Sequence, residues 1–191
     1  MSGRRARRPP HAARSQHFLA RPDLAAELAD CARLEASDLV LEFGAGYGRL
    51  TDQLASRAGR VVAIELDGRL AARLKSRMAA RSNVTVVHGD ALSVPLPHSD
   101  FRVVSNPPFH LTSALLHRLL DDRTSRLARA DLVLEWGAAL ALTGVFGAAS
   151  KSRPWKGRYE FLLVRRVPAA WFSPEPGCDA AIVSVRRLGA F

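Results

Sequence analysis

The sequence has few cysteines, scattered histidines and no long apolar run. Cys31 and Cys178, the two cysteines among 191 residues, lie far apart and outside any CxxC pattern, so neither a disulfide framework nor a metal site is expected. The longest apolar stretch, Trp136 to Ala149, is interrupted by Gly and Thr and is too short to span a bilayer. The N-terminal arginines have no apolar segment behind them, which argues against a secretory signal. We therefore expect a cytoplasmic protein without metal or membrane span.

Acidic residues are also in deficit. The chain has 28 Lys and Arg against 18 Asp and Glu, a net charge of +10, which points to a polyanionic partner. Residues 1–14 hold five arginines and no acid, and this composition predicts a disordered basic arm or a merely solubilising tail. Residues 15–191 are expected to form one domain. The arm residues proposed for nucleic-acid contact are Arg4, Arg5, Arg7 and Arg8.

Short apolar runs alternate with segments of helical spacing. The predicted strands are Leu39–Phe43, Val61–Glu65, Val84–His88, Val103–Ser105 and Leu132–Glu135. The predicted helices begin near Arg21 and then cover Arg49–Arg57, Arg69–Arg81 and Ser113–Asp122. This alternation predicts an α/β fold with a mostly parallel sheet covered on both faces. Two final runs, Phe161–Val167 and Ala180–Arg187, have no helix between them and predict an antiparallel hairpin at the sheet edge, giving seven strands.

Glycines and acids follow the first three strands, at the sheet edge where ligands bind in open α/β folds. Gly44 and Gly46 let the backbone turn tightly, and Arg49 stands where a dinucleotide fingerprint has its last glycine, so no pyrophosphate site is expected. Glu42 closes the first strand, Glu65 is placed to accept ribose hydroxyls, and Asp90 to accept from an adenine amino group. Three acids around one pocket favour a cationic ligand, and S-adenosylmethionine is such a ligand. Asp67 is expected to be only a helix N-cap.

Asn106-Pro107-Pro108-Phe109 follows the fourth strand, about sixty residues after the glycine loop. Proline fixes φ and restricts the preceding residue, so the Asn106 amide oxygen and a peptide carbonyl can be held in one rigid arrangement. Two such acceptors suit the planar amino group of a base, and Phe109 either stacks on that base or is a core aromatic. A basic loop, Ser150–Arg158, adds Lys151, Arg153, Lys156 and Arg158 as candidate RNA contacts. Trp155 within it either stacks on a base or anchors the loop.

Six segments together resemble the ribosomal RNA adenine N6-methyltransferases, which include the Erm macrolide-resistance enzymes and the KsgA-type dimethylases. The segments are Ser15–Leu19, Glu42–Gly48, Ile64–Asp67, Gly89–Leu92, Asn106–Phe109 and Phe172–Ala181. The resemblance runs from about Arg14 to Arg187 and is strongest to Erm enzymes of actinomycete type. It implies a Rossmann-like class I S-adenosylmethionine-dependent methyltransferase fold. The C-terminal helical domain of the family is expected to be absent, since the sequence stops at Phe191.

The resemblance also implies a substrate and residue roles. The target would be an adenine in the peptidyl-transferase loop of 23S rRNA, whose methylation blocks macrolides, lincosamides and streptogramin B. Donor contacts are implied for Gln16, Phe18, Gly44, Gly46, Glu65, Asp90 and Ala91, beside Glu42 and Asn106. Asn106 and Pro107 would hold the target amino group, Phe109 would stack on the base, and Phe172 would flank it. A monomer is expected.

Three other functions remain open at this stage. A KsgA-like enzyme would dimethylate 16S rRNA with the same site. A DNA adenine methyltransferase often has the Asn-Pro-Pro-Phe form, although no target-recognition insert is visible. A non-catalytic nucleic-acid-binding relative would have lost donor-loop residues or the asparagine, and all of these are present here.

Overall fold

A seven-stranded, mostly parallel sheet with helices on both faces organises the chain. The computed structural model describes residues 17–145 and 153–189. The strands are β1 (Phe18–Leu19), β2 (Leu39–Phe43), β3 (Arg60–Glu65), β4 (Val84–His88), β5 (Phe101–Ser105), β6 (Leu127–Glu135), β7 (Tyr159–Val167), β8 (Phe172–Ser173) and β9 (Ala180–Arg187). The α-helices are α1 (Pro22–Ala32), α2 (Arg49–Ala55), α3 (Gly68–Arg77), α4 (Thr112–Leu120) and α5 (Trp136–Thr143). Short 3-10 helices cover Phe109–Leu111, Arg153–Trp155 and Ala169–Trp171.

The strand order places a ligand-binding crevice between β2 and β5. The order in the large sheet is β4-β3-β2-β5-β6-β9-β7, and β9 is antiparallel to both neighbours. The chain first winds outward from β2 to β4 and then returns to pair β5 with the other side of β2. Loops that leave the carboxyl ends of β2 and β5 therefore diverge to opposite faces and open a crevice. The predicted seven-stranded sheet with its antiparallel C-terminal pair is confirmed.

Two apolar layers pack on the sheet, one on each face. Val40 of β2 packs with α1 and α2, whereas Leu41 and Phe43 face the layer that contains α4 and α5. Consecutive strand residues are thus both buried, as expected for parallel strands that are covered on two sides. The strands read as continuous Val, Ile and Leu runs for this reason.

Three elements were not predicted from the sequence. Helix α5 is apolar all round, so it shows no polar face from which a helical period can be recognised. Strands β1 and β8 have two residues each and pair only with each other, and so short a run carries no period.

Within residues 17–145 and 153–189, no helix is long and apolar enough to cross a membrane. Over the same ranges no three His, Cys, Asp or Glu side chains form a metal-binding group, and both cysteines are free.

Candidate active site

A buried serine holds the two sequence motifs side by side. The Ser105 hydroxyl, at the end of β5, donates to the Phe43 carbonyl at 2.6 Å and accepts from the Phe43 N–H at 3.2 Å, at the end of β2. Gly44 follows Phe43 at the end of β2, and Asn106 follows Ser105 at the end of β5. This bridge therefore sets the distance between the glycine loop and the Asn-Pro-Pro-Phe segment. Sequence reasoning missed Ser105 because nothing in a serine's local pattern shows that it will bridge two strands.

The glycine loop lies against both neighbouring segments. Gly44 and Gly46 have φ angles of +73° and +54°, which favour glycine. A Cβ on Gly44 would lie 3.4 Å from Pro108 Cδ, and one on Gly46 would lie 2.8 Å from the Phe18 ring. Both positions therefore need glycine for close approach as well as for backbone conformation.

Asn106 presents an unpaired oxygen at the centre of the crevice. Its Nδ2 donates to the His17 carbonyl at 2.8 Å, which fixes the orientation of the amide. Its Oδ1 is buried and has no hydrogen-bond partner among the described residues. A buried acceptor without a partner costs stability unless a ligand supplies the missing donor. The geometry therefore leaves Oδ1 available to accept a hydrogen bond from a ligand.

The N-terminal strand β1 closes over the glycine loop. It pairs with β8, and the Arg49 guanidinium at the start of α2 donates to the Leu19 carbonyl at 2.9 Å and to the Ala20 carbonyl at 2.5 Å. The Phe18 ring lies 4.9 Å from the Tyr47 ring, between centroids. Phe18 thus lies at the glycine loop, and its contact with the donor stays a prediction; the arginine that secures β1 was not foreseen.

Phe109 is half-buried beside the asparagine and is supported from behind. Its ring centroid lies 5.4 Å from that of His17 and 6.2 Å from that of Phe172, the latter in an edge-on arrangement. Phe172 is only 3% exposed. The expectation that Phe172 flanks a target base is therefore corrected, because its ring is packed in the core and contacts Phe109.

Glu42 is a buried carboxyl at the bottom of the crevice. It is 2% exposed and accepts a hydrogen bond from the Thr51 hydroxyl at 2.6 Å. Burial, and to a smaller degree the nearby Glu65 carboxylate, raise the pKa of Glu42 to about 8. Glu42 is therefore not a solvent-exposed residue at the end of its strand. A cationic ligand in the cleft would favour the ionised form of this carboxyl.

The other two predicted acids differ in exposure. Glu65 is 1% exposed, and its two oxygens accept the backbone N–H groups of Gly46 at 2.8 Å and Asp67 at 2.9 Å. It thus shapes the glycine loop, and only its remaining lone pairs are available to ribose hydroxyls. Asp90 is exposed, and Ala91 follows it along the same cleft. Asp67 caps α3 through bonds to two backbone N–H groups, which lower its pKa, so the N-cap prediction is confirmed.

Two clefts meet at Gly44 and are lined by residues predicted from the sequence to contact S-adenosylmethionine. The larger, of about 670 Å³, is lined by Phe18, Glu42 and Asn106 among others. The smaller, of about 60 Å³, is lined by Glu65, Asp90 and Ala91 with apolar neighbours. A buried acid suits the cationic end of the donor, and an apolar slot with an exposed carboxylate suits its adenosine. Sequence reasoning missed three arginines at the larger cleft, which are Arg49, Arg73 and Arg77.

The described part of the basic loop, residues 153–158, lies at the opposite edge of the sheet. Arg158 precedes β7, which starts at the edge where β5 also starts, and its guanidinium donates to the Leu120 and Asp122 carbonyls. Trp155 is 4% exposed and its indole N–H donates to Asp121 at 2.7 Å, so Trp155 anchors the loop and the base-stacking alternative is wrong. Lys156 is exposed. Of Arg153 only the backbone is described, and the predictions on Arg4, Arg5, Arg7, Arg8, Gln16 and Lys151 lie outside the described residues.

The chain matches known proteins over most of its length. Residues 11–188 match the family described as ribosomal RNA adenine dimethylase. An rRNA adenine N-6-methyltransferase of Bacillus licheniformis is 35% identical over 90% of this chain and 60% of that protein. The mycinamicin-resistance protein MyrB of Micromonospora griseorubida is 38% identical over 92% of this chain and 55% of that protein. A ribosomal RNA small subunit methyltransferase A of Moorella thermoacetica is 34% identical over 92% and 66%, respectively.

Solved structures agree with these matches. The crystal structure of the 23S rRNA methyltransferase ErmE superimposes with a TM-score of 0.83 at 33% identity, covering 90% of this chain and 70% of ErmE. A dimethyladenosine transferase from Plasmodium falciparum superimposes with a TM-score of 0.80 at 28% identity, over 90% and 63%. This chain spans 60% of the length of the Bacillus licheniformis relative.

Proposed function

The chain belongs to the ribosomal RNA adenine dimethylase family, and we propose that it methylates N6 of one adenine in the peptidyl-transferase loop of 23S rRNA. S-adenosylmethionine is the donor. The expected consequence is resistance to macrolides, lincosamides and streptogramin B, and the expected form is a cytoplasmic monomer. Likeness to the mycinamicin-resistance protein at 38% identity and to the 23S rRNA methyltransferase ErmE at 33% supports the choice of 23S rRNA.

The unpaired Asn106 Oδ1 is the observation that carries the proposal. An adenine N6 is a poor nucleophile because its lone pair is delocalised into the ring. When Asn106 Oδ1 and the Pro107 carbonyl accept its two hydrogens, the nitrogen is drawn toward tetrahedral geometry and its lone pair becomes available. Since His17 holds the amide through Nδ2, the acceptor is already oriented and the orientation costs little at the moment of reaction.

S-adenosylmethionine, when bound, supplies an electrophilic methyl group beside this acceptor. A cationic ligand favours the ionised form of Glu42, which then compensates the ligand's charge, and Asp90 provides an exposed acceptor for an adenine amino group. Strand β1 covers the glycine loop and excludes water from the same region. No described residue needs to act as a base, since the amino proton becomes acidic once nitrogen carries a positive charge.

Phe109 receives the base. A target inside a helix must be unstacked at a cost of a few kcal/mol, and stacking on an aromatic ring returns about 1–3 kcal/mol. Phe172 holds the Phe109 ring from behind through its edge-on contact. Phe109 therefore acts as the platform and Phe172 as its support.

Methyl transfer from labelled S-adenosylmethionine tests the proposal, with protein-free 23S rRNA, 30S subunits and unmodified DNA offered in parallel and the modified nucleotide mapped. We expect label on one adenine of 23S rRNA. Label on DNA alone would overturn the RNA assignment. Donor binding without label on any substrate would show that this chain does not act as an enzyme by itself.

A second candidate is dimethylation of 16S rRNA. The small subunit methyltransferase A of Moorella thermoacetica is 34% identical, almost as similar as the Erm-type relatives. Its catalytic scheme would be the same, and only the RNA would differ. Label on the 30S subunit, with none on 23S rRNA, would identify this activity.

A further inference from the structure

A large cavity lies away from the active site. It has a volume of about 830 Å³ and opens at the sheet edge where β5 and β6 begin, opposite to the edge that carries Asn106. Four arginines and one aspartate line it, together with His98 and a proline-rich turn. The arginines are Arg118, Arg123, Arg126 and Arg187. We call this site the arginine cavity.

Two guanidinium groups of this cavity are held by backbone carbonyls rather than by carboxylates. Arg118 donates to the Val94 carbonyl and Arg187 to the Ser125 carbonyl, at 2.5 Å for the latter pair. Among the described residues no carboxylate lies within ion-pair distance of Arg118, Arg123 or Arg187. A carbonyl orients an arginine but leaves its charge uncompensated, so the cavity keeps a positive potential.

The two carboxylates near the cavity, Asp100 and Asp122, change this balance little. Arg126 lies 3.8 Å from Asp100, and both side chains are more than half exposed, so water screens the pair. The lining acid, Asp122, uses one carboxylate oxygen to accept from the Thr124 N–H and hydroxyl. Arg158 also reaches this edge, where it donates to backbone carbonyls. The cavity is therefore the centre of a larger basic surface.

The length of helix α4 indicates how far the arginine cavity lies from the active site. Helix α4 starts next to Phe109 and ends at Leu120, beside the cavity, and its nine residues span about 13 Å at about 1.5 Å per residue. Nucleotides in a stacked strand are about 3.4 Å apart. About four nucleotides would thus connect the base-binding site to the arginine cavity.

We propose that the arginine cavity binds the phosphodiester backbone of the RNA substrate, about four nucleotides from the target adenine. This inference rests on the proposed RNA substrate, but it concerns a separate surface. Backbone phosphates suit arginine because the guanidinium donates two parallel hydrogen bonds to one phosphate group. The contact would be independent of sequence and would orient the strand before its base enters the crevice.

The test compares Arg123→Gln/Arg126→Gln with the matched control Arg60→Gln/Arg69→Gln, which removes two exposed arginines elsewhere on the surface. The probes are synthetic single-stranded RNAs with one adenine, flanked by either two or ten nucleotides on each side. RNA binding is measured without donor at several salt concentrations. We expect the slope of log affinity against log salt to fall by about 2 for the long RNA, about 1 for each lost phosphate contact. The short RNA and the control variant should keep the wild-type slope.

Three outcomes would overturn the assignment. One is an unchanged slope for the long RNA. Another is an equal loss for short and long RNA, which would place the contact elsewhere. The third is thermal stabilisation by inorganic phosphate that the variant loses while its RNA slope is unchanged, which would identify a free-phosphate site. Because binding is measured without methyl transfer, a chain that binds long RNA through the cavity but methylates nothing would refute only the proposed function.

Discussion

At the scale of single residues, the site depends on groups whose hydrogen-bond partners leave one atom unused. The Asn106 side chain donates a hydrogen bond from Nδ2 to the His17 carbonyl, and its Oδ1 has no partner among the described residues. Glu42 accepts from Thr51 and is otherwise surrounded by protein. Both arrangements are costly for a folded protein without a ligand, which is typical of positions that are retained for binding or catalysis.

Asn106→Ala should separate donor binding from transfer. The substitution removes the acceptor for the target amino group and also the bond to the His17 carbonyl, so we expect transfer to fall by roughly 10²- to 10³-fold or more while donor affinity falls only a few-fold. Single-turnover rates and equilibrium donor binding measure the two effects. Ser113→Ala, an exposed position on α4, is the control and should behave as wild type. Retained turnover with weakened donor binding would contradict the assigned role.

Glu42→Gln should change the pH dependence of stability. The pKa of Glu42 is raised from 4.5 to about 8 in the folded protein, so the folded state keeps a proton that the unfolded state releases. Stability from this group is greatest below pH 4.5 and falls as pH rises toward 8, by up to about 1.4 kcal/mol per pH unit. The glutamine variant should lose that slope and gain stability relative to wild type at pH 8.

Urea unfolding at pH 5 and pH 8 measures the effect. Glu35→Gln, an exposed carboxyl, serves as the control and should keep the wild-type pH dependence. If Glu42→Gln also keeps it, Glu42 is ionised in the folded protein and the burial argument fails.

At the scale of elements, the short strand β1 connects distant parts of the site. It pairs with β8, and Arg49 holds it to α2. The residue before it, His17, accepts a hydrogen bond from the Asn106 amide. A two-residue strand cannot be stable by itself, so these tertiary contacts must hold it. The donor cleft therefore depends on Arg49, although Arg49 contacts only backbone carbonyls of β1 and the residue that follows it.

Arg49→Ala should weaken donor binding without unfolding the protein. Loss of the bonds to the Leu19 and Ala20 carbonyls costs about 1–2 kcal/mol and frees the strand that covers the glycine loop. We expect a several-fold rise in the donor dissociation constant by calorimetry, with a melting temperature that falls by only a few degrees. Arg60→Ala, an exposed arginine at the start of β3, should leave both quantities as in wild type. Unchanged donor affinity in Arg49→Ala would show that β1 is held by other contacts.

At the scale of the whole molecule, one sheet edge carries the chemistry and the opposite edge carries much of the basic surface. The glycine loop, the three acids of the site and Asn106 lie at the carboxyl ends of parallel strands. The arginine cavity and Arg158 lie where β5, β6 and β7 begin. The net charge of +10 thus includes a built cluster as well as an N-terminal arm. An RNA that reaches both edges would contact the sheet domain along α4.

The sheet domain should bind the donor by itself. The chain covers 60% of its Bacillus licheniformis relative, yet both clefts are formed by described residues of one domain. Ligand at 100 times its dissociation constant should stabilise the folded state by about 2.7 kcal/mol. Thermal unfolding with S-adenosylmethionine and with ATP measures this, and ATP should stabilise less because it lacks the cationic end that suits the buried Glu42. Equal stabilisation by both would refute the donor-site assignment.

The residue pattern alone determined the fold class, and it predicted which residues would lie together at the carboxyl edge of the sheet. Periodic apolar runs predict strands such as Leu39–Phe43, and Gly44 and Asn106 can be found because glycine and proline impose local backbone conformations. Only the tertiary structure decided which way Asn106 faces, that Ser105 joins the motifs, that Phe172 and Trp155 are buried, and that arginines distant in sequence share one cavity. These properties depend on contacts between residues that lie far apart along the chain, and no local pattern records such contacts.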